Sequence, residues 1–305
     1  MLHRLQDDIK NKYRNIIFKE EYIMSGIKPV EELELTDDFI FCRIMKKEDI
    51  CKELLERLLK IKIEKIEYPE LQKEISPYYK SKGVRLDVYV KDSNRIFDIE
   101  MQNGRHEDFA KRTRYYQSMI DIDNLMKGDG YRELKESFII FITTFDPFGM
   151  NLPVYTFKNQ CQENSSLLLQ DKAVKCFYNA TAYEKEPNVE IRKFLEYILN
   201  HKPTDDFTKE LDRRVNDLKA DNDYMEEYMI EAISLYDARN DGFTLGEKQG
   251  LALGEKRGIS IGILQKSIDA AKKLLSTGLS KEQIASCLDL SIEKVEELAK
   301  EEKNS

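Results

Sequence analysis

Two short stretches concentrate acids where a cation would be needed to hold them together. In VRLDVYV (84–90) apolar and polar side chains alternate, and they alternate again in RIFDIEMQ (95–102), with KDSN between. Period-two alternation around turn residues is the signature of a β-hairpin. Arg85, Asp87 and Tyr89 then share one face of the first strand, and Asp98, Glu100 and Gln102 one face of the second. A two-residue turn at Ser93-Asn94 sets Asp87 opposite Glu100; a four-residue turn sets it opposite Asp98. Both registers gather Asp87, Asp98, Glu100 and Gln102 on one side, because paired residues point the same way. Three converging carboxylates repel one another unless a cation lies between them, and hard oxygen ligands suit Mg²⁺ or Mn²⁺. The same spacing also describes a solvent-exposed acidic face balanced by Arg85 and Arg95.

Other hydrolytic chemistries find little support. The five cysteines (Cys42, Cys51, Cys161, Cys176, Cys287) have no CxxC spacing, which argues against a zinc site or a disulfide framework. The three histidines, His3, His106 and His201, suggest no Ser–His–Asp grouping. Carboxylates with a metal are what remains. A net charge of −8 excludes a passive nucleic-acid coat but allows an enzyme with a local basic cleft. No apolar run reaches the ~18 residues that span a bilayer. The charged N-terminus lacks a signal-peptide core, so a cytoplasmic protein that does not enter membranes is expected.

The elements around the hairpin give an α/β pattern. LTDDFIFCRIMKKEDICKELLERLLKI carries Phe39, Ile40, Ile44, Ile50, Leu54, Leu55, Leu58 and Leu59 as a helical stripe in two pieces, capped at Thr36, Asp37 or Asp38. A helix follows the hairpin from about Glu107 and is stopped by Gly128. SFIIFITTF (137–145) reads as a strand buried on both faces, and AVKCFYN (173–179) as a weaker one. The predicted organisation is an N-terminal helical extension over 1–30, a catalytic domain over 31–204 and a helical tail over 205–305.

The string GVRLDVYVKDSNRIFDIEMQ, followed by a basic-aromatic helix, resembles the PD-(D/E)XK nuclease superfamily. In particular it looks like the Rpn-type recombination-promoting nucleases, a transposase-like group. Their pattern is an Asp on the first hairpin strand and Glu-x-Gln or Glu-x-Lys on the second, here Asp87, Glu100 and Gln102. LTDDFIFCRIM resembles their opening D-x-x-F-K segment, with Asp38 and Phe41 in place and Cys42 where lysine is usual; Arg114, Tyr115 and Tyr116 match their helix loosely. The resemblance implies a restriction-endonuclease-like core, a mixed sheet flanked by helices, with an all-helical C-terminal tail. It implies a metal-dependent endodeoxyribonuclease linked to recombination, mobile elements or defence, or else an inactive nuclease-like scaffold that binds DNA or protein. Asp87 and Glu100 would hold Mg²⁺ or Mn²⁺ with the backbone carbonyl of Met101, and Asp38 would add an outer contact. Lys80, Lys82, Arg85, Lys111, Arg112 and Arg114 would neutralise DNA phosphates. Gln102, neutral where many superfamily members have lysine, would orient water or substrate by hydrogen bonds.

The tail has its own pattern. Met225, Tyr228, Met229, Ala232, Ile233 and Tyr236 fall on one helical face, and Gly242, Gly246, Gly250, Gly254, Gly258 and Gly262 recur every four residues. Each glycine costs a helix about 1 kcal/mol relative to alanine. The spacing therefore reads either as a smooth stripe for helix–helix association, giving a homodimer, or as a flexible connector. Three short helices are predicted after it, with a capping box at Ser280/Gln283 and a cap at Ser291. The last is acidic, which favours an interaction module over a DNA-reading helix.

Overall fold

The computed structural model describes residues 27–76, 82–104 and 108–303. Most of the expected N-terminal extension, together with Lys80 and His106, lies outside the described residues. The chain divides into two units, Met1–Glu231 and Ala232–Ser305.

The first unit opens with α1 (Asp38–Met45) and α2 (Glu48–Leu59), the two pieces of the apolar stripe. Asp37 is the residue before α1, yet its carboxylate does not cap the helix; it accepts instead from the Glu34 amide and Lys28 Nζ, both at 2.7 Å. The sheet comprises β1 (Glu67–Ile75), β2 (Val84–Lys91), β3 (Arg95–Gln102), β4 (Glu136–Thr143), β5 (Val154–Phe157) and β6 (Ala173–Asn179) in the order β1-β2-β3-β4-β6-β5. β1, β2 and β3 run antiparallel, β3, β4 and β6 parallel, and β5 antiparallel to β6. The apolar run at β4 sits in the middle, buried over Ser137–Thr143, as a two-faced strand must be.

α3 (Phe109–Asn124) covers the sheet face that bears Tyr89, Ile139, Phe141 and Phe177. Asn124 Nδ2 donates to the Tyr89 hydroxyl at 2.8 Å and Gln117 Nε2 to Ser137 Oγ at 2.7 Å, which fix the end and the middle of the helix on the strands. Tyr178 of β6 donates its hydroxyl to the Leu58 carbonyl of α2 at 2.6 Å. α4 (Val189–Asn200) and α5 (Asp206–Ala220) complete the unit. Arg57 of α2 bonds Asp205 at 2.6 Å and lies 4.5 Å over the Phe207 ring, while Arg214 reaches Asp49 at 2.7 Å. These contacts tie α5 into the first unit.

α6 (Asn222–Leu275) is one continuous helix of 54 residues that carries the whole glycine repeat. The first of the three predicted terminal helices is simply its end, because nothing breaks the helix before Gly278, where φ is +81°. α7 (Lys281–Leu288), with its Ser280/Gln283 capping box, and α8 (Ile292–Lys303) pack on that end through Ala271, Ile284, Ala285, Val295 and Leu298. Of the apolar face over 225–236, Tyr228 packs within the first unit. Tyr228 is buried, its ring 5.3 Å from Phe39, and its hydroxyl donates to the Lys28 carbonyl at 2.7 Å. No described helix is long and apolar enough to cross a membrane.

Candidate active site

The hairpin has the two-residue turn. Asp92 and Arg95 close it through the Asp92 amide, which donates to the Arg95 carbonyl at 3.0 Å. Asp92 Oδ1 accepts from the Asn94 and Arg95 amides at 3.0 and 2.8 Å, the aspartate's usual role in a tight turn. The ladder then runs Lys91–Ile96, Val90–Phe97, Tyr89–Asp98 and Val88–Ile99. One step further, where Asp87 meets Glu100, main-chain pairing stops and side chains replace it. The Asp87 amide donates to Glu100 Oε1 at 3.0 Å, and the Met101 amide donates to Asp87 Oδ2 at 3.3 Å. Each carboxylate thus closes on the main chain of the opposite strand.

The acidic face is buried, not solvated. Asp98 and Glu100 are both 0% exposed, beneath α3. Burial, and then the Asp98 and Asp87 charges, hold the Glu100 carboxyl well above the usual range. Burial and then Asp87 do the same to Asp98. Neither Asp98 oxygen has a fixed donor; the carboxyl faces that of Glu100, and protonation within the pair relieves their repulsion. Asp87 is nearer solvent, and burial followed by the Asp38 charge pushes it up to about 7. Arg95 does not offset these acids: its guanidinium is held by Asp92 and by the Lys62 carbonyl.

Arg112 from α3 is the cation among them. Its Nη2 donates to Glu100 Oε2 at 2.8 Å, Nη1 to Gln102 Oε1 at 3.0 Å, and Nε to the Tyr116 hydroxyl at 2.8 Å. The guanidinium also lies 5.0 Å over Tyr116 and 5.5 Å over Phe141. An arginine side chain only donates, so Gln102 must present its oxygen to Arg112 and keeps its amide N–H groups for other partners. The inward turn of Arg112 is what sequence reasoning missed; its i, i+4 spacing from Tyr116 on a helix was the available signal.

Asp38, the first residue of α1, accepts from Arg85 Nη2 at 3.0 Å. Cys42, one turn later, donates its thiol to Asp38 Oδ1 at 3.5 Å and to the Asp87 carbonyl at 3.6 Å. Burial and the two acids push the Cys42 thiol far up, so it stays neutral and serves as a strut between α1 and β2. Among the described residues, no group of three or more His, Cys, Asp or Glu side chains is drawn together as a metal cage. Glu100 is turned towards Arg112 instead.

Beside the acids opens a cleft of about 840 Å³. Lys82, Arg85, Lys111, Arg112 and Arg114 line it, with Tyr115 and Tyr116, against the single acid Asp108. The structure therefore gathers into one concave surface cations that are scattered from 82 to 114 in the chain.

Residues 35–152 match the model of the PD-(D/E)XK nuclease family transposase, a stretch that runs from α1 through the hairpin and α3 to the loop after β4. No curated protein and no solved structure matches the chain. The mixed six-stranded sheet flanked by helices, with a long C-terminal helical region, agrees with the fold of such a domain.

Proposed function

We propose, proceeding from a PD-(D/E)XK nuclease-family domain over 35–152, that the chain is a divalent-metal-dependent DNA endonuclease. The observation that carries this reading is the meeting of Asp87 and Glu100 at the parted end of the hairpin, next to Arg112 and the basic cleft it lines.

The donor set fits a hard cation. It consists of oxygens only, and the buried Asp98 oxygens have no donor of their own. Asp87, Glu100 and the Met101 carbonyl would hold Mg²⁺ or Mn²⁺, with Asp38 as an outer contact. Such an ion supplies Lewis acidity and a more acidic bound water. In hydrolysis an O–P bond to water forms and one P–O ester bond breaks, leaving a phosphate monoester and a free hydroxyl. Gln102, its oxygen fixed by Arg112, directs N–H donors to a phosphate oxygen or the attacking water. Arg112 opposes the burial that raises the Glu100 carboxyl and so favours its carboxylate, the form a metal needs. Lys82, Arg85, Lys111 and Arg114 take phosphates on either side of the scissile one.

The glycine stripe of α6 supports pairing of two chains, which would bring two nuclease domains to two strands. Apart from the helix's own neighbouring backbone, no described atom lies within 4 Å of a Cβ built on any of its six glycines. Recombination, mobile-element movement or defence, in the cytoplasm, is the setting this activity suits.

Plasmid nicking with and without Mg²⁺ tests the reading. The wild-type chain should nick only with metal, and Asp87→Ala should abolish nicking while the protein stays folded. Wild-type-level nicking by Asp87→Ala would refute the site. A second reading, an inactive DNA-binding scaffold, is favoured by the Arg112–Glu100 pair standing where a cation would bind. DNA binding without nicking under either Mg²⁺ or Mn²⁺ would establish it.

A further inference from the structure

A second cavity, of about 600 Å³, shares Arg114 and Ser118 of α3 with the basic cleft. That volume suits one small ligand. Its apolar wall is built by Phe148, Phe157 and Phe177. The three rings meet edge to face at 4.9 to 5.8 Å, which locks their positions, and Phe157 remains 45% exposed.

The polar lining is equally specific. Arg114, Lys135 and Lys175 have no ion-pair partner among the described residues, so three cations line the cavity against two acids, Asp121 and Asp171. The acids there are already engaged by carboxamides: Gln117 Nε2 donates to Asp121 at 2.9 Å, and Asn159 Nδ2 to Asp171 at 2.5 Å. Gln117, nine-tenths buried, spends its other N–H on Ser137, and its Oε1 is left with no donor. An aromatic wall and cations without ion-pair partners make complementary partners for a flat base and a phosphate.

We propose that this cavity binds one unstacked nucleobase, with an adjoining phosphate on Arg114 and Lys135. The inference rests on reading the basic cleft as a DNA path. It deepens that reading, because a base can enter the cavity only from a single strand or a locally opened duplex. The occupant is either a base of the strand lying in the cleft or a free nucleotide, which offers the same chemistry.

Full-length protein in EDTA, titrated with a labelled single strand and with the matching duplex, separates the outcomes. Phe157→Ala and Lys135→Gln are each expected to lower the ratio of single-strand to duplex affinity about tenfold, the loss of one base stack or of its phosphate anchor. Both residues are partly exposed, so the fold should survive. Deoxyadenosine monophosphate added in competition identifies the source: weakened binding of the strand marks a cavity filled by a base of the strand itself, and nucleotide binding that leaves strand affinity unchanged marks a free-nucleotide site. An unchanged ratio in both variants, with duplex binding intact, would overturn the cavity and leave the cleft reading standing. Wild-type protein that binds neither strand form would overturn the DNA reading, and this inference with it.

Discussion

Asp87→Asn should stabilise the metal-free protein at neutral pH, and by an amount that depends on pH. The Asp87 carboxyl is pushed from 3.8 up to about 7 by burial and by Asp38. A group whose folded pKa is raised contributes stability at low pH and loses it as pH climbs from the unfolded towards the folded value. At pH 7.5 the full shift of about 3 units corresponds to roughly 4 kcal/mol of destabilisation in the wild type. Asparagine removes that charge and keeps an oxygen for the Met101 amide, at a cost of about 1 kcal/mol for the weaker hydrogen bond. The net gain is about 3 kcal/mol, or roughly 6–12 °C in Tm for a unit of this size. At pH 5 the carboxyl is already protonated in the folded chain, and the gain should shrink below about 1 kcal/mol. Thermal unfolding in EDTA at both pH values, followed by circular dichroism, measures this. An equal shift at the two pH values would mean that packing, not charge, is responsible; no stabilisation at pH 7.5 would refute the account of the acid cluster. Function and stability then pull against each other at this residue, as expected where like charges are stored for chemistry.

Two further outcomes follow from named contacts. Gln102→Ala should lower the single-turnover cleavage rate by roughly 10²-fold, the loss of one donor to developing charge, with DNA affinity nearly unchanged; a normal rate would make Gln102 a bystander. Gly250→Leu with Gly254→Leu should raise helicity, since leucine is a stronger helix former and both Cβ positions are open, yet should break self-association in light scattering; a double variant as dimeric as the wild type would place the interface elsewhere.

The hairpin was readable because it is governed by two short-range rules, period-two alternation and turn chemistry, and both hold in VRLDVYVKDSNRIFDIEMQ. The register was left open by those rules. It is decided by Asp92, whose carboxylate gathers the Asn94 and Arg95 amides into a two-residue turn. β1 and β5 escaped notice for a different reason. EYPELQKEI is mostly polar and contains a proline near one end, so it earns strand structure only by pairing with β2, and it does so through a bulge between Glu67 and Glu70. VYTF is four residues long and lies at the sheet edge. Burial of Asp98 and Glu100 was illegible as well. A carboxylate in an alternating strand reads as solvent-facing until a helix is known to cover that face, and nothing local announces α3's docking site. Cys42, standing where the resemblance leads one to expect lysine, reads as a departure in the sequence; in the fold it is a strut joining α1 to β2.

α3 shows why one helix settles so much of the site. Its 100° step per residue distributes FAKRTRYYQSMIDIDN over several surfaces at once. Phe109, Tyr116, Met119 and Ile120 enter the core and fix the helix over the sheet. That docking buries the acids, which raises their carboxyls and creates the demand for a cation. Arg112, one turn before Tyr116, meets that demand from the same helix and at the same time orients Gln102. Lys111, Arg114 and Tyr115 then face the cleft, while Thr113, Gln117 and Asp121 face the aromatic cavity. The acids on β2 and β3 therefore do not form a site by themselves. The charge state of Asp98 and Glu100, the donor offered by Gln102 and the path open to a phosphate backbone all depend on how this one helix sits, so a change in its core residues should reach the chemistry without touching a single polar group.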